Sequence, residues 1–138
     1  MSATVLYMSM SLDGFIAGPN ESPENGLGDG GHRLHAWADG GRRARPRGVR
    51  RSGTVNGQIV DEFMSTGAVV AGRGTFEPAG GWGGDHHDGV PIFVVARSEP
   101  RIDISRWPLV SYVDDVTTAM TRAKEAAGDK NVLVHGAG

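Results

Sequence analysis

Two glycine-bearing stretches of this chain have the composition of a phosphate cradle. Gly72-Arg73-Gly74-Thr75 follows the apolar run Ala68-Val69-Val70-Ala71, and Gly136-Ala137-Gly138 follows Val132-Leu133-Val134-His135. A buried strand running into a small-residue turn presents backbone N–H groups that a phosphate can approach, and the Thr75 hydroxyl adds a donor. Asp13, in Ser11-Leu12-Asp13-Gly14, reads either as a turn residue or as a carboxylate for substrate contact or proton handling. Asp85-His86-His87-Asp88 juxtaposes imidazole and carboxylate ligands. Consecutive residues rarely converge on one ion, however, and Gly83, Gly84 and Gly89 mark a loop, so no metal site is expected. His32 and His35 are spaced i,i+3 without a third partner, and His135 alternates with apolar neighbours as a half-buried structural histidine would. Trp82 and Trp107 border loops, where they wall a pocket or pack an edge. Gly26-Leu27-Gly28-Asp29-Gly30-Gly31 has the glycines of a dinucleotide fingerprint but follows no strand and opens no helix. Gly-x-Ser-x-Gly does not occur.

The elements that must position these residues are short. Thr4 to Met10 has the length of a central strand, Asp13-Gly14 turns it, and Phe15-Ile16-Ala17 is a second short extended piece. Residues 20–53 are loop-dominated, with one helical turn around Leu34-His35-Ala36-Trp37; so long an irregular stretch suggests a lid or binding loop. Val55, Ile59, Val60, Phe63 and Met64 repeat at helical spacing, with Gly67 as the C-terminal cap. Ala68–Ala71, Pro91–Ala96, Leu109–Val113 and Asn131–His135 are continuous apolar strands. Asp114 or Asp115 caps a helix carrying Val116, Ala119, Met120 and Ala123 on one face, and Gly128 ends it. Short apolar strands alternating with helices indicate an α/β sheet buried on both faces.

The length of 138 residues suits one domain, 1–138. Its 22 glycines are about twice the ordinary share of roughly 7%, as expected of long loops between short strands. Without cysteine, neither a disulfide framework nor a thiolate metal site can form. The N-terminus lacks a basic leader and no apolar run approaches the ~18 residues of a membrane span, so a soluble cytoplasmic protein is expected. Arg42, Arg43, Arg45, Arg47, Arg50 and Arg51 cluster without an interleaved acid or aromatic, within the Arg/Gly-rich segment 38–53. That pattern fits a surface loop better than a nucleic-acid footprint, which would carry aromatics for stacking.

Ser11-Leu12-Asp13-Gly14, Gly72-Arg73-Gly74-Thr75-Phe76-Glu77, Ala96-Arg97 and Gly136-Ala137-Gly138 fall in order at four strand ends. In that arrangement the chain resembles the dihydrofolate reductase-like superfamily, and within it the reductase domain of bacterial riboflavin biosynthesis and its small stand-alone relatives. The resemblance implies a three-layer α/β/α sandwich around a mixed sheet, and hydride transfer from NADPH to a small-molecule substrate. It implies that Gly72, Arg73, Gly74 and Thr75 meet the cofactor's phosphates, that Arg73 and Arg97 hold the adenosine 2′-phosphate, and that Gly136, Ala137 and Gly138 face the pyrophosphate. Ile16 and Ala17 would lie near the nicotinamide ring, with Asp13 as the acid of the Ser-x-Asp-Gly motif. In the riboflavin branch the substrate is an aminopyrimidine bearing ribose phosphate. Folate reduction fits less well, because Asp61 and Glu62 stand in a setting unlike that of pterin binding. The family continues past the last loop with a helix and strands that often form a dimer contact, so the fold is expected to be incomplete at the C-terminus and a homodimer less firmly supported.

Two readings compete with a reductase. One is a non-catalytic nucleotide-binding or interaction module that pairs through an exposed sheet edge. The other is nucleic-acid binding through residues 42–51, which salt would weaken steeply.

Overall fold

A computed structural model describes residues 2–22, 24–39 and 54–136. The arginine cluster, Ala137 and Gly138 lie outside the described residues. Five strands, β1 (Thr4–Tyr7), β2 (Ala68–Gly72), β3 (Ile92–Val95), β4 (Val110–Val113) and β5 (Val132–His135), form one sheet in the order β1-β5-β2-β3-β4. Every pairing is parallel, so the antiparallel member that a mixed sheet implies is not among these strands. The α/β class holds.

Alternation along the strands divides the core in two. Ala68, Val70, Phe93, Val113 and Val132 face the helix α4 (Val116–Ala127), meeting its Ala119, Ala123 and Ala127. Alanines at that spacing let the helix lie close on the sheet. Val69, Ile92, Val94, Val110 and Leu133 point to the other face, where Phe76 and Val90 complete a second cluster. Phe63 of α2 (Val55–Met64) packs against this cluster and against Tyr7, ring centroids 5.7 Å apart. Near-continuous apolar strands thus have cover on both faces, which is what gives the parallel sheet its three layers.

The helix ends follow local chemistry. Thr54 accepts from the Gly57 N–H at 3.0 Å, and Asp115, rather than Asp114, accepts from the Thr118 N–H at 2.8 Å. Gly128 closes α4 at φ 59°, a conformation that favours glycine. Two expectations are corrected. Gly67 does not cap α2; Ser65 does, and the Gly67 N–H instead donates to the Asn131 carbonyl where two strands begin. Phe15-Ile16-Ala17 is not extended, because the Ser11 N–H donates to Phe15 O and the Phe15 N–H to Ser11 Oγ, which curls the segment into a turn. The helical turn expected near Leu34 is a 3₁₀ turn, Gly31–His35, running into α1 (Ala36–Asp39). Among the described residues no helix is long and apolar enough to cross a membrane.

Candidate functional site

The carboxyl ends of β1, β5 and β2 open onto a cavity of about 840 Å³. Parallel sheets concentrate binding sites at that edge, because loops leaving the strands there enclose a crevice. Met8 and Ser9 continue β1 into the wall, His135 and Gly136 close β5, and Gly74 and Thr75 of the single-turn helix α3 (Arg73–Phe76) follow β2. Ile16 and Ala17 enter from the turn after β1, and Phe63 and Ile59 from α2.

The remaining wall is the glycine-rich loop. Gly18 and Leu27 join through an N–H to carbonyl bond of 2.7 Å, and the Asp29 N–H donates to Pro19 O at the same distance. Asp29 then accepts from the side-chain amides of Asn20, at 2.7 Å, and Asn25, at 2.9 Å, so one carboxylate ties the loop together. Gly26 and Leu27 face the cavity from it. The segment forms one wall of the cavity.

Thr75 and Gly136 meet backbone to side chain. Gly136 has φ 104°, and a Cβ built there would overlap Thr75 Oγ1. The β5–loop and β2–α3 junctions are thus in direct contact, and only glycine fits at this point.

Arg73 and Arg97 lie on a second, shallower concavity of about 470 Å³, at the ends of β3 and β4, which shares Gly74 with the cavity. The guanidinium of Arg73 donates to Ser98 Oγ, and its Nε lies 4.0 Å from Glu77 Oε2 one helical turn on. Glu77 also accepts from the Tyr112 hydroxyl at 3.0 Å and the Arg101 N–H at 2.9 Å. Arg97 is exposed. Asp13 is exposed as well; it accepts from Ser11 Oγ at 2.6 Å and is not part of either lining.

The far wall is aromatic. Trp82 stacks edge-on against His86 and His135, ring centroids 4.6 and 5.4 Å apart, and lines the cavity with both. Trp107 stays in the core against Phe76. Burial, with His135 and His87 nearby, pushes the His86 imidazole down to about 4, against a partial counter-effect of Asp85. Burial also lowers His135, with His35 adding to the shift. Among the described residues no three His, Asp or Glu side chains converge in a way that would hold a metal ion. Composition gave no sign that His86 and His135 share a wall, since they stand 49 positions apart. Glu77 received no role from the sequence, although it stands four residues after Arg73, at the C-terminal cap of α3, where such a pair can meet.

No protein-family model and no curated protein matches the chain. Among solved structures it aligns with the 2.12 Å crystal structure of a protein from Shewanella sp. PV-4, provisionally described as a riboflavin biosynthesis protein. The TM-score is 0.56 at 19% identity, over 97% of this chain. The two chains share a fold. This chain spans 64% of that protein's length.

Proposed function

We propose that the chain is an NADPH-dependent reductase of the dihydrofolate reductase-like superfamily, transferring hydride to a small heterocyclic or sugar-derived substrate. The observation that carries this reading is convergence. Ile16, Ala17, Gly74, Thr75 and Gly136, from three separate segments, line one cavity, and Gly74 joins it to the concavity of Arg73 and Arg97. A cofactor with a ring at one end and a phosphate at the other has a use for both.

The residues fit such a group. Gly136 and Thr75 pack directly against each other on the cavity wall, with small residues that leave their backbone open to a phosphate, and Arg73 is held in place by Ser98 and Glu77. In this reading Ile16 and Ala17 orient the nicotinamide, Gly72 to Thr75 and Gly136 with Ala137 and Gly138 admit the phosphates, and Arg73 and Arg97 hold the 2′-phosphate as a guanidinium fork can. When bound, NADPH supplies the hydride. The chain's own part is orientation and exclusion of water, by the loop that Asp29 ties and by Trp82. Asp13, the acid that the resemblance gives a role in substrate contact or proton handling, stands in the turn beyond Ser9, outside both linings. The description of the Shewanella protein supports a riboflavin-type substrate, for which the resemblance implies an aminopyrimidine bearing ribose phosphate.

Among the described residues no strand pairs with the outer edge of β1, which favours a second reading. Leu6 is 62% exposed on that edge strand, with Met10 and Phe15 each 63% exposed in the segment that follows. Apolar residues on an unpaired edge suit a homodimer or a non-catalytic interaction module.

Titration of the full chain with NADPH and with NADH, followed by nicotinamide fluorescence, separates the two. NADPH binding at least about tenfold tighter than NADH, or about 1.4 kcal/mol, is the reductase outcome. Folded protein that binds neither, and that associates with rising concentration, overturns it in favour of the module.

A further inference from the structure

The proton positions on the cavity's histidines follow from their partners. Thr66 Oγ1 donates its own proton to Phe63 O at 2.6 Å. His87 Nε2 lies 3.2 Å from Thr66 Oγ1 and 3.3 Å from the Thr66 carbonyl oxygen, so both of its neighbours are acceptors and Nε2 must carry a hydrogen. His87 is 5% exposed, and no carboxylate bonds it among the described residues, so it is the neutral imidazole and its Nδ1 is bare. His86 Nδ1 lies 2.7 Å from that bare nitrogen and is therefore the donor. A neutral His86 with its proton on Nδ1 has a free lone pair on Nε2.

His135 has the opposite arrangement. Its Nδ1 is sealed from solvent without any partner, whereas Nε2 is neither sealed nor bonded among the described residues. Orphaned buried N–H groups are rarer than under-used acceptors, so the proton sits on Nε2. Both rings line the cavity, with centroids 5.2 Å apart and planes at 68°. Around them stand Asp85 and His87 beside His86, and His35 beside His135. The lowered proton affinity of both rings agrees with neutral imidazoles at pH 7.

We propose that His86 and His135 form an acceptor–donor pair that binds a ligand group carrying an N–H beside a carbonyl, the edge of a lactam or amide, with Thr66 and His87 fixing the His86 tautomer. Here Thr66 and His87 are positioning residues, and His86 and His135 touch the ligand. The inference deepens the proposed function, since it rests on the same cavity being the substrate's place, but it does not require NADPH.

The test uses the full chain with isotope-labelled histidine nitrogens, observed by NMR at pH 7. The expected result is a proton on Nδ1 of His86 and on Nε2 of His135. Titration with α-pyridone, which has N–H beside C=O, then shifts both Nε2 resonances, and N-methyl-α-pyridone, which lacks the donor, leaves His86 Nε2 unmoved. His87→Phe removes the acceptor for His86 Nδ1, moves the His86 proton to Nε2 and abolishes the α-pyridone response. His87→Gln keeps an acceptor and a donor in place and retains both. A wild-type His86 protonated on Nε2, an equal response to the two pyridones, or no response from either imidazole overturns the proposal. An NADPH titration on the same samples keeps the two readings apart. Absent NADPH binding with these tautomers and shifts in place sinks only the reductase, and the reverse pattern sinks only the histidine pair.

Discussion

Thr75 Oγ1 occupies the position that a side chain on residue 136 would need, so Gly136 and Thr75 lock the end of β5 to the start of α3. The φ of 104° at Gly136 adds a conformational demand to the steric one. Gly136→Ala therefore meets both, and the expected cost is about 2 kcal/mol or more, within the range for forced backbone strain plus overlap. Gly14→Ala is the control: its φ is 91°, but nothing lies within 4 Å of the added Cβ, so only the backbone term applies. Urea unfolding of the two variants checks the difference, and Gly136→Ala should also lose nucleotide binding that Gly14→Ala keeps.

Acid should destabilise this protein through a buried imidazole of the cavity wall. His86 has its folded-state value pushed from 6.5 down to about 4. Between those values the unfolded chain binds a proton that the folded chain refuses. Stability is thus fully present above about pH 6.5 and falls as pH drops toward 4, by roughly 3 kcal/mol if the whole shift is expressed. His135, lowered in the same sense, adds to it. Denaturation midpoints across this window should slope steeply in the wild type and less so in His86→Asn; equal slopes would remove His86 as the cause.

Arg97 and Arg73 differ in how they are held, and the two alanine variants should differ accordingly. Arg97 is exposed, so Arg97→Ala should leave stability within about 0.5 kcal/mol while the NADPH preference over NADH falls by about tenfold. Arg73→Ala also strands Ser98 and Glu77 of a partner, and should lose the same preference with some stability. Parallel fluorescence titrations and thermal melts separate the two contributions.

Phe76 is fully buried, with Trp82, Trp107 and Tyr112 rings edge-on at 5.5, 6.2 and 6.1 Å. Phe76→Ala should cost about 3–5 kcal/mol and loosen Trp82 against the cavity. Unfolding free energy together with tryptophan emission reports both; a loss under about 1 kcal/mol would mean the aromatic cluster repacks around the gap.

Asp13 sits exposed in the Ser11–Phe15 turn. Asp13→Asn should therefore fold as well as the parent. If Asp13 handles a proton of the substrate, turnover falls by about a hundredfold or more; unchanged turnover leaves it a turn residue.

The sequence by itself determined the layers. Apolar runs at 68–71, 91–96, 109–113 and 131–135 are strands because continuous burial on both faces leaves no polar side for water, and Asp115 and Thr54 stop their helices by local capping alone. The meeting of Gly74 and Thr75 with Gly136 was legible for the same reason: small residues after parallel strands end on one edge of the sheet. What only the tertiary structure decided is everything that depends on distant neighbours. The strand order inserts β5 between β1 and β2, which is why the half-buried His135 reaches the cavity beside Tyr7 and Ala71. His86 and His87 gave the pattern of a weak metal motif, but their roles come from Thr66 and His135, groups remote in sequence that burial brings within hydrogen-bond and ring-contact range. Local composition fixes which backbone a residue prefers; only packing fixes which partner its proton finds.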